Sequence, residues 1–309
     1  MRKNIGIDIG GTKVLMGIMD ENANILTSKQ IPTLPEEDPR KMIYEIICAM
    51  NLMLNETGLD LNNIDFIGAG VPGTVDTNTG IVQYCPNIEW INVPAGQYFG
   101  ELTGREVKIC QDSRLAALGE LLFGAGKGYH DLACITLGTG IGCGIIVHDT
   151  IFNGGMNTAG ELGHIVIEPD GRPCPCGRKG CLERYSSGTG ILLGAYEKFP
   201  DKLKAYSKAE DIFEMAYSGH EQAIKLIEDS VDKLAYGIAT LVNLLSPQII
   251  VFSGGMCVHE KLIIEPLKKK IHEKGYIAWT KKKELVIKKA LLEDKAAMIG
   301  ASVLYKGIY

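Results

Sequence analysis

Ile5-Gly6-Ile7-Asp8-Ile9-Gly10-Gly11-Thr12-Lys13 lies near the N-terminus, and an apolar run from Val14 to Met19 follows it. Two short apolar runs separated by Gly-Gly-Thr read as strand, tight glycine turn, strand. A polar turn over Asp20–Asn24 leads to a third strand beginning at Ile25. The pattern recurs far downstream. Ala133-Cys134-Ile135-Thr136-Leu137 reads as a strand, Gly138-Thr139-Gly140-Ile141-Gly142-Cys143-Gly144 as a glycine loop, and Ile145-Ile146-Val147 as the returning strand. Two such copies imply two α/β lobes of similar topology. A glycine turn lets backbone N–H groups approach an anion with no Cβ in the way. A threonine hydroxyl adds a donor for a phosphate oxygen. Asp8, at the mouth of the first turn, is suited to hold Mg²⁺ directly or through water. A ligand-free hairpin explains either copy alone, but less well both copies together with Asp8.

Two other nucleotide motifs are excluded. A Walker loop needs G-x-x-x-x-G-K-[ST] leading into a helix, which neither hairpin provides. The dinucleotide fingerprint G-x-G-x-x-G fails at Cys143, and a strand rather than a helix follows. A third glycine pair ends the apolar strand Pro247–Phe252, as Ser253-Gly254-Gly255. An amphipathic helix is expected before it, over 221–245, with Ile224, Ile227, Val231, Leu234, Ile238 and Leu241 near helical spacing. Another is expected after it, over 259–274. A strand ending in glycines between two helices suits an adenosine lying against backbone.

A different chemistry occupies the segment Gly160-Glu161-Leu162-Gly163-His164 through Cys181-Leu182-Glu183. His164, Cys174, Cys176 and Cys181 are spaced H-x9-C-x-C-x4-C. One imidazole and three thiolates complete a tetrahedral zinc shell, with no position left for water, so this zinc is expected to be structural. The thiols sit among Pro175, Gly177, Arg178, Lys179 and Gly180 rather than in an apolar run, which favours metal over buried thiols or disulfides. Glu161 and Glu183 are interleaved with the ligands. A structural zinc does not need them, and they point to a braced loop offering acids to a polar ligand.

The chain has 309 residues, 46% hydrophobic and 22% charged, with a net charge of -5. That is the composition of a soluble globular protein, and its sign argues against nucleic acid or an acidic membrane as the main partner. No apolar stretch reaches the ~20 residues of a membrane span. Met1-Arg2-Lys3-Asn4 leads at once into a strand without a secretory apolar region, so a cytoplasmic protein is expected. Cys48, Cys85, Cys110, Cys134, Cys143 and Cys257 then read as reduced core thiols.

Val107–Cys110 reads as a strand, Gln111-Asp112 as its end, and Ser113–Phe123 as a helix stopping near Gly124. Asp112 falls where an N-cap belongs. It also falls at the carboxyl end of a strand, where ligands bind in open α/β sheets and a carboxylate can accept a hydroxyl proton. Upstream, Ile64–Ile67 is expected as a strand followed by the glycine run Gly68–Gly73, and Cys85–Trp90 as a loop. Asn87 in that loop suits a sugar hydroxyl, because an amide both donates and accepts, or is simply a turn residue after proline.

Together, Asp8–Lys13 (D-I-G-G-T-K), Leu137–Gly142 (L-G-T-G-I-G), Glu161–His164 (E-L-G-H) and Cys174–Glu183 (C-P-C-G-R-K-G-C-L-E) resemble the ROK family of sugar kinases and repressors, and most of all its bacterial glucokinases. The resemblance runs from Gly6 to about Ala301. It implies an actin-like ATPase (ribonuclease H-like) fold with two lobes and a central cleft, ATP with Mg²⁺, a structural Zn²⁺, and transfer of the γ-phosphate to a hexose 6-hydroxyl. It implies Asp112 as catalytic base and Gly73, Asn87, Gln111, Asp112, Glu161, His164 and Glu183 as sugar contacts. Asp8, Gly10, Gly11, Thr12, Lys13, Gly138, Thr139 and Gly140 would line the phosphates, with Gly254 and Gly255 near the adenosine, and a homodimer is implied. The lobes are expected as 1–112 with about 294–309, and 113–293, Glu293–Tyr305 being a closing helix.

Two positions depart from the family pattern. Its glucokinases read N-D-A-N around the base, whereas this chain reads Gln111-Asp112-Ser113-Arg114. A longer amide at a sugar contact can shift discrimination by roughly 1–3 kcal/mol, which leaves allose, mannose, fructose and N-acetylmannosamine open beside glucose. Cys143 replaces a glycine beyond the phosphate-facing residues. The different-class readings are a catalytically silent sugar-binding protein and a sugar-responsive repressor. Repressors of the family carry a helix-turn-helix domain ahead of the sugar domain, for which the early Gly6–Lys13 motif is expected to leave no room.

Overall fold

β1 (Lys3–Ile9), β2 (Lys13–Asp20) and β3 (Ile25–Pro32) form the antiparallel meander that the first glycine turn announces. The structure, a computed structural model, describes residues 2–35, 38–276 and 285–306. On its other side β1 pairs in parallel with β4 (Phe66–Val71), and β4 with β8 (Lys108–Gln111), giving the order β3-β2-β1-β4-β8. A small antiparallel sheet, β5 (Thr74–Asp76), β6 (Ile81–Cys85) and β7 (Trp90–Val93), follows β4. The second large sheet takes β9 (Leu132–Leu137), β10 (Ile141–Val147), β11 (Thr150–Ile151), β12 (Ile249–Ser253) and β13 (Val286–Lys289) in the order β11-β10-β9-β12-β13.

Helices α1 (Pro39–Glu56), α2 (Ala95–Thr103) and α3 (Asp112–Phe123) belong to the first half of the chain. Then come α4 (Glu183–Ser186), α5 (Gly188–Lys198), α6 (Ala209–Tyr217), α7 (Glu221–Leu245), α8 (Ile264–Lys274) and α9 (Ala296–Ser302). α1 shows why such segments are helical. Asp38 caps it by accepting the N–H groups of Arg40 and Lys41, and Met42, Ile43, Ile46, Ile47, Met50 and Met53 form one buried stripe. α7 spans the expected 221–245. The helix expected over 259–274 begins only at Ile264, because 255–258 winds as a 3-10 turn after the glycines.

The chain divides into two compact units. One holds the described residues up to Cys134, Gly144–Ala159 and those from Ala290 on; the other holds Ile135–Cys143 and Gly160–Lys289. This division differs from a boundary at Gln111–Ser113, since α3 packs within the first unit against α9.

The first unit closes around α9, which lies on β1, β4 and α3. A Cβ on Gly6 would collide with the Met298 carbonyl oxygen, and one on Gly68 with that of Ala301. Gly119 and Gly300 make the equivalent approach where α3 and α9 cross. Glycine here is a packing requirement, since only a bare backbone admits a helix at that distance. It also explains why Gly68-Ala69-Gly70-Val71, placed after a strand ending at Ile67, is the body of β4. The C-terminal segment lies within the first unit, but it is not one helix. Glu293–Lys295 and Leu304–Lys306 are 3-10 turns flanking α9, and Glu293 adopts φ 51°, which no α-helix accommodates. Among the described residues no helix is long and apolar enough to cross a membrane.

Candidate active site

In the first unit, the register places Asp8 of β1 beside Gly70 of β4, and Gly70 beside Cys110 of β8. All three strands run in parallel, so their carboxyl ends share one edge, where ligands bind in open α/β sheets. Asp112 follows β8 directly as the first residue of α3. The expected N-cap role falls instead to the position of Gln111, whose side chain makes no capping bond, while Asp112 Oδ1 accepts the N–H of Ser113 at 2.6 Å. A Cβ on Gly70 would lie 3.7 Å from Asp8 Oδ1 and 3.6 Å from Asp112 Cα. The two carboxylates thus share the ground above one glycine.

That proximity is visible in the titration of Asp8. Burial first, then the charge of Asp112, push its carboxyl up to about 7; Lys13 opposes the shift and Asp294 adds to it. A carboxylate held short of full ionisation beside a second one fits a hard divalent cation, whose charge would favour the ionised form. Lys13 Nζ lies 3.1 Å from Asp294 Oδ2. Asp294 is a site residue that reading the sequence missed; it stands 281 residues from Lys13 and no local pattern marks it.

The glycine turn itself is closed by the Gly10 N–H donating to the Lys13 carbonyl at 2.9 Å, and Thr33 Oγ1 donates to the Gly10 carbonyl at 2.7 Å. Thr12 is exposed. A Cβ on Gly11 would meet Asn87 Cβ at 3.4 Å, so Asn87, exposed on a 3-10 turn, stands against the phosphate turn. Gln111 is 8% exposed at the end of β8. Gly73 has φ 86° and abuts the Tyr84 carbonyl, so the turn between β4 and β5 requires glycine there irrespective of any ligand.

In the second unit, the other glycine loop gathers its own set. The Gly188 N–H donates to the Gly138 carbonyl at 2.8 Å, and a Cβ on Gly140 would sit 3.1 Å from Glu183 Oε2. Gly254, with φ 95°, packs on the backbone of Leu137 at the end of the neighbouring strand. Thr139 and Gly255 are exposed there. Gly138, Thr139, Gly140, Glu183, Gly254 and Gly255 therefore converge at the carboxyl ends of β9 and β12.

The cysteine loop folds as a short knuckle. The Cys174 N–H donates to the Arg178 carbonyl at 2.8 Å, and Gly177 and Gly180 take φ values of 88° and 76°. His164, Cys174, Cys176 and Cys181 bring one ligand atom each to within 4.8 Å of one another. Cys176 Sγ and Cys181 Sγ are 3.5 Å apart, and Cys174 Sγ is 3.7 Å from His164 Nδ1. A tetrahedron with Zn–S of ~2.3 Å demands S···S near 3.8 Å, so the donors fit a zinc ion. None of the nine cysteines, all of them among the described residues, is in a disulfide. The histidine Nδ1 faces the thiols while Nε2 lies 3.9 Å from Glu161 Oε2, and Glu183 Oε1 is 3.7 Å from Nδ1. The imidazole thus has one nitrogen for metal and one beside an acid, so the ion would orient the group next to Glu161.

These parts define an actin-like ATPase fold with two glycine turns and a His/Cys cluster fit for zinc. The sequence model of the ROK family matches residues 4–308, and the chain belongs to that family. A glucokinase from Thermotoga maritima is 33% identical across 98% of this chain and 97% of its own. A solved ROK glucokinase from Streptomyces griseus, in complex with glucose and AMPPNP, is 32% identical with a TM-score of 0.82 over 98% of both chains. A putative xylose repressor from Caldicellulosiruptor is 27% identical over 96% of this chain, which spans 76% of the repressor.

Proposed function

We propose that this protein is an ATP-dependent hexose kinase that phosphorylates the 6-hydroxyl of glucose. The observation that carries it is the pair Asp8 and Asp112 over Gly70. Phosphoryl transfer to an alcohol needs a carboxylate for the donor's metal and another for the acceptor's proton. Asp112 accepts the 6-hydroxyl proton as the oxygen attacks the γ-phosphorus and the bond from that phosphorus to the β,γ-bridging oxygen breaks, releasing ADP. Gly10, Gly11, Thr12, Lys13, Gly138, Thr139 and Gly140 hold the phosphates, and Gly254 and Gly255 the adenosine. Asn87, Gln111, Glu161, His164 and Glu183 hold sugar hydroxyls, with Gly73 shaping the turn behind them. Mg²⁺, when held at Asp8, supplies neutralisation of phosphate charge.

The glucokinase from Thermotoga maritima and the glucose complex from Streptomyces griseus support glucose as the sugar. Gln111 favours a second reading, in which another hexose (allose, mannose, fructose or N-acetylmannosamine) is preferred. A homodimer in the cytoplasm completes the proposal, and light scattering should read twice the 33.6 kDa chain mass. ADP release with ATP and Mg²⁺ over a panel of these sugars tests the function. A dominant kcat/KM for glucose supports glucokinase, a dominant value for another hexose supports the second reading, and no turnover by zinc-replete protein removes the kinase in favour of a silent binder.

A further inference from the structure

Arg114, the residue that departs most from the family pattern, is 1% exposed in α3, two residues beyond Asp112. Its Nη2 donates to the main-chain carbonyls of Asn157 at 2.7 Å and Ala159 at 3.2 Å. Those carbonyls belong to the loop that follows β11. Asn157 holds φ 56°, a left-handed conformation that persists in a non-glycine residue when its surroundings fix it. Its Nδ2 donates to Asp76 Oδ1 at 3.4 Å, and the Ala159 N–H donates to the Asn153 carbonyl at 3.0 Å. The loop is therefore pinned at its last residues from α3 and from β5. Gly160 and Glu161 come next. Gly160 has φ 94°, and a Cβ there would collide with the Cys143 carbonyl oxygen, so the chain between Ala159 and Glu161 has little freedom.

We infer that Arg114 is a positioning residue for sugar binding: from α3 it fixes the end of the loop whose chain leads directly into Glu161. This rests on the reading of Glu161 and Asp112 given above. A guanidinium suits the task because its forked donors reach two carbonyls and it keeps its charge when buried. Displacement of a bound group by about 1 Å can cost up to ~100-fold in rate, so a strut two residues from a sugar ligand has leverage. In a chain with Gln111 beside the base, this strut sets which hexose epimers fit.

The experiment compares wild type, Arg114→Lys, Glu161→Gln and the double variant for kcat, hexose KM and ATP KM, with Tm as a check on folding. Wild-type turnover alone decides the kinase reading. For the strut, Arg114→Lys is expected to raise glucose KM roughly tenfold while kcat and ATP KM stay within about threefold. Its discrimination between glucose and mannose should fall. The effects of Arg114→Lys and Glu161→Gln on glucose KM should be non-additive, as coupled residues are. Additive effects, an unchanged glucose KM, or equal rises for glucose and ATP overturn the inference and leave the kinase reading standing. Should Arg114→Lys fail to fold, Asn157→Gly, which accepts the left-handed turn but loses the bond to Asp76, carries the same comparison.

Discussion

Asp112 and Asp8 meet over Gly70, and their two tasks separate cleanly by substitution. Asp112→Asn removes the proton acceptor but keeps the shape, so turnover should fall by roughly 10²–10⁴ while calorimetric glucose affinity stays within a few fold. Near-normal turnover would remove Asp112 as the base. Asp8 makes a statement about stability. Its folded carboxyl sits near 7 against 3.8 for the unreacted group, so folded protein retains a proton that unfolded chain releases. The associated stability is full below about pH 4 and is lost as pH rises through 7. In metal-free protein, thermal melts should therefore drop between about pH 4 and pH 7 and level off above. Asp8→Asn should flatten that drop and raise Tm at pH 8 while abolishing activity. A parallel drop in the variant would place the titrating group elsewhere.

At the scale of elements, α9 and the zinc knuckle each rest on close geometry. Gly6→Ala sets a methyl against the Met298 carbonyl, with backbone rather than a flexible side chain to move. A loss of about 3 kcal/mol in denaturant melts is expected, against near zero for Gly155→Ala, where nothing lies within 4 Å and the backbone is not left-handed. Cys176 is the exposed ligand of the cluster, and Cys176→Ser should leave less than one zinc per chain by atomic absorption. Because the ion orients His164, that variant should raise glucose KM more than ATP KM. Equal changes would mean that the knuckle serves folding alone.

For the whole molecule, binding energy should appear as stability. Glucose at 100-fold its Kd stabilises a binding-competent chain by about 2.7 kcal/mol, and Asp112→Asn should keep that shift because the base is not needed to bind. A thermal shift with sugar in a chain without kinase turnover would mark the silent binder instead. The relatives make this a live distinction, as glucokinases and a putative xylose repressor both align with almost all of this chain.

Short motifs carry their own geometry, and that is what the amino-acid sequence determined by itself. Gly10-Gly11-Thr12, Leu137–Gly142 and the H-x9-C-x-C-x4-C spacing specify turns and ligands within a few residues, since glycine permits the backbone and zinc dictates donor number. α7 was legible because a 25-residue apolar stripe needs no partner to be seen. The strand was ended at Ile67 because glycine weakens a strand signal, and only the arrival of α9 explains the glycines that continue it to Val71. The break in Glu293–Tyr305 followed from one left-handed residue. Asp294 beside Lys13, Asp112 over Gly70 and Arg114 beneath Asn157 were decided by tertiary structure alone. Each joins residues distant in sequence or an unpredicted turn to a side chain, and periodicity records which face a residue takes but not what the rest of the chain brings to it.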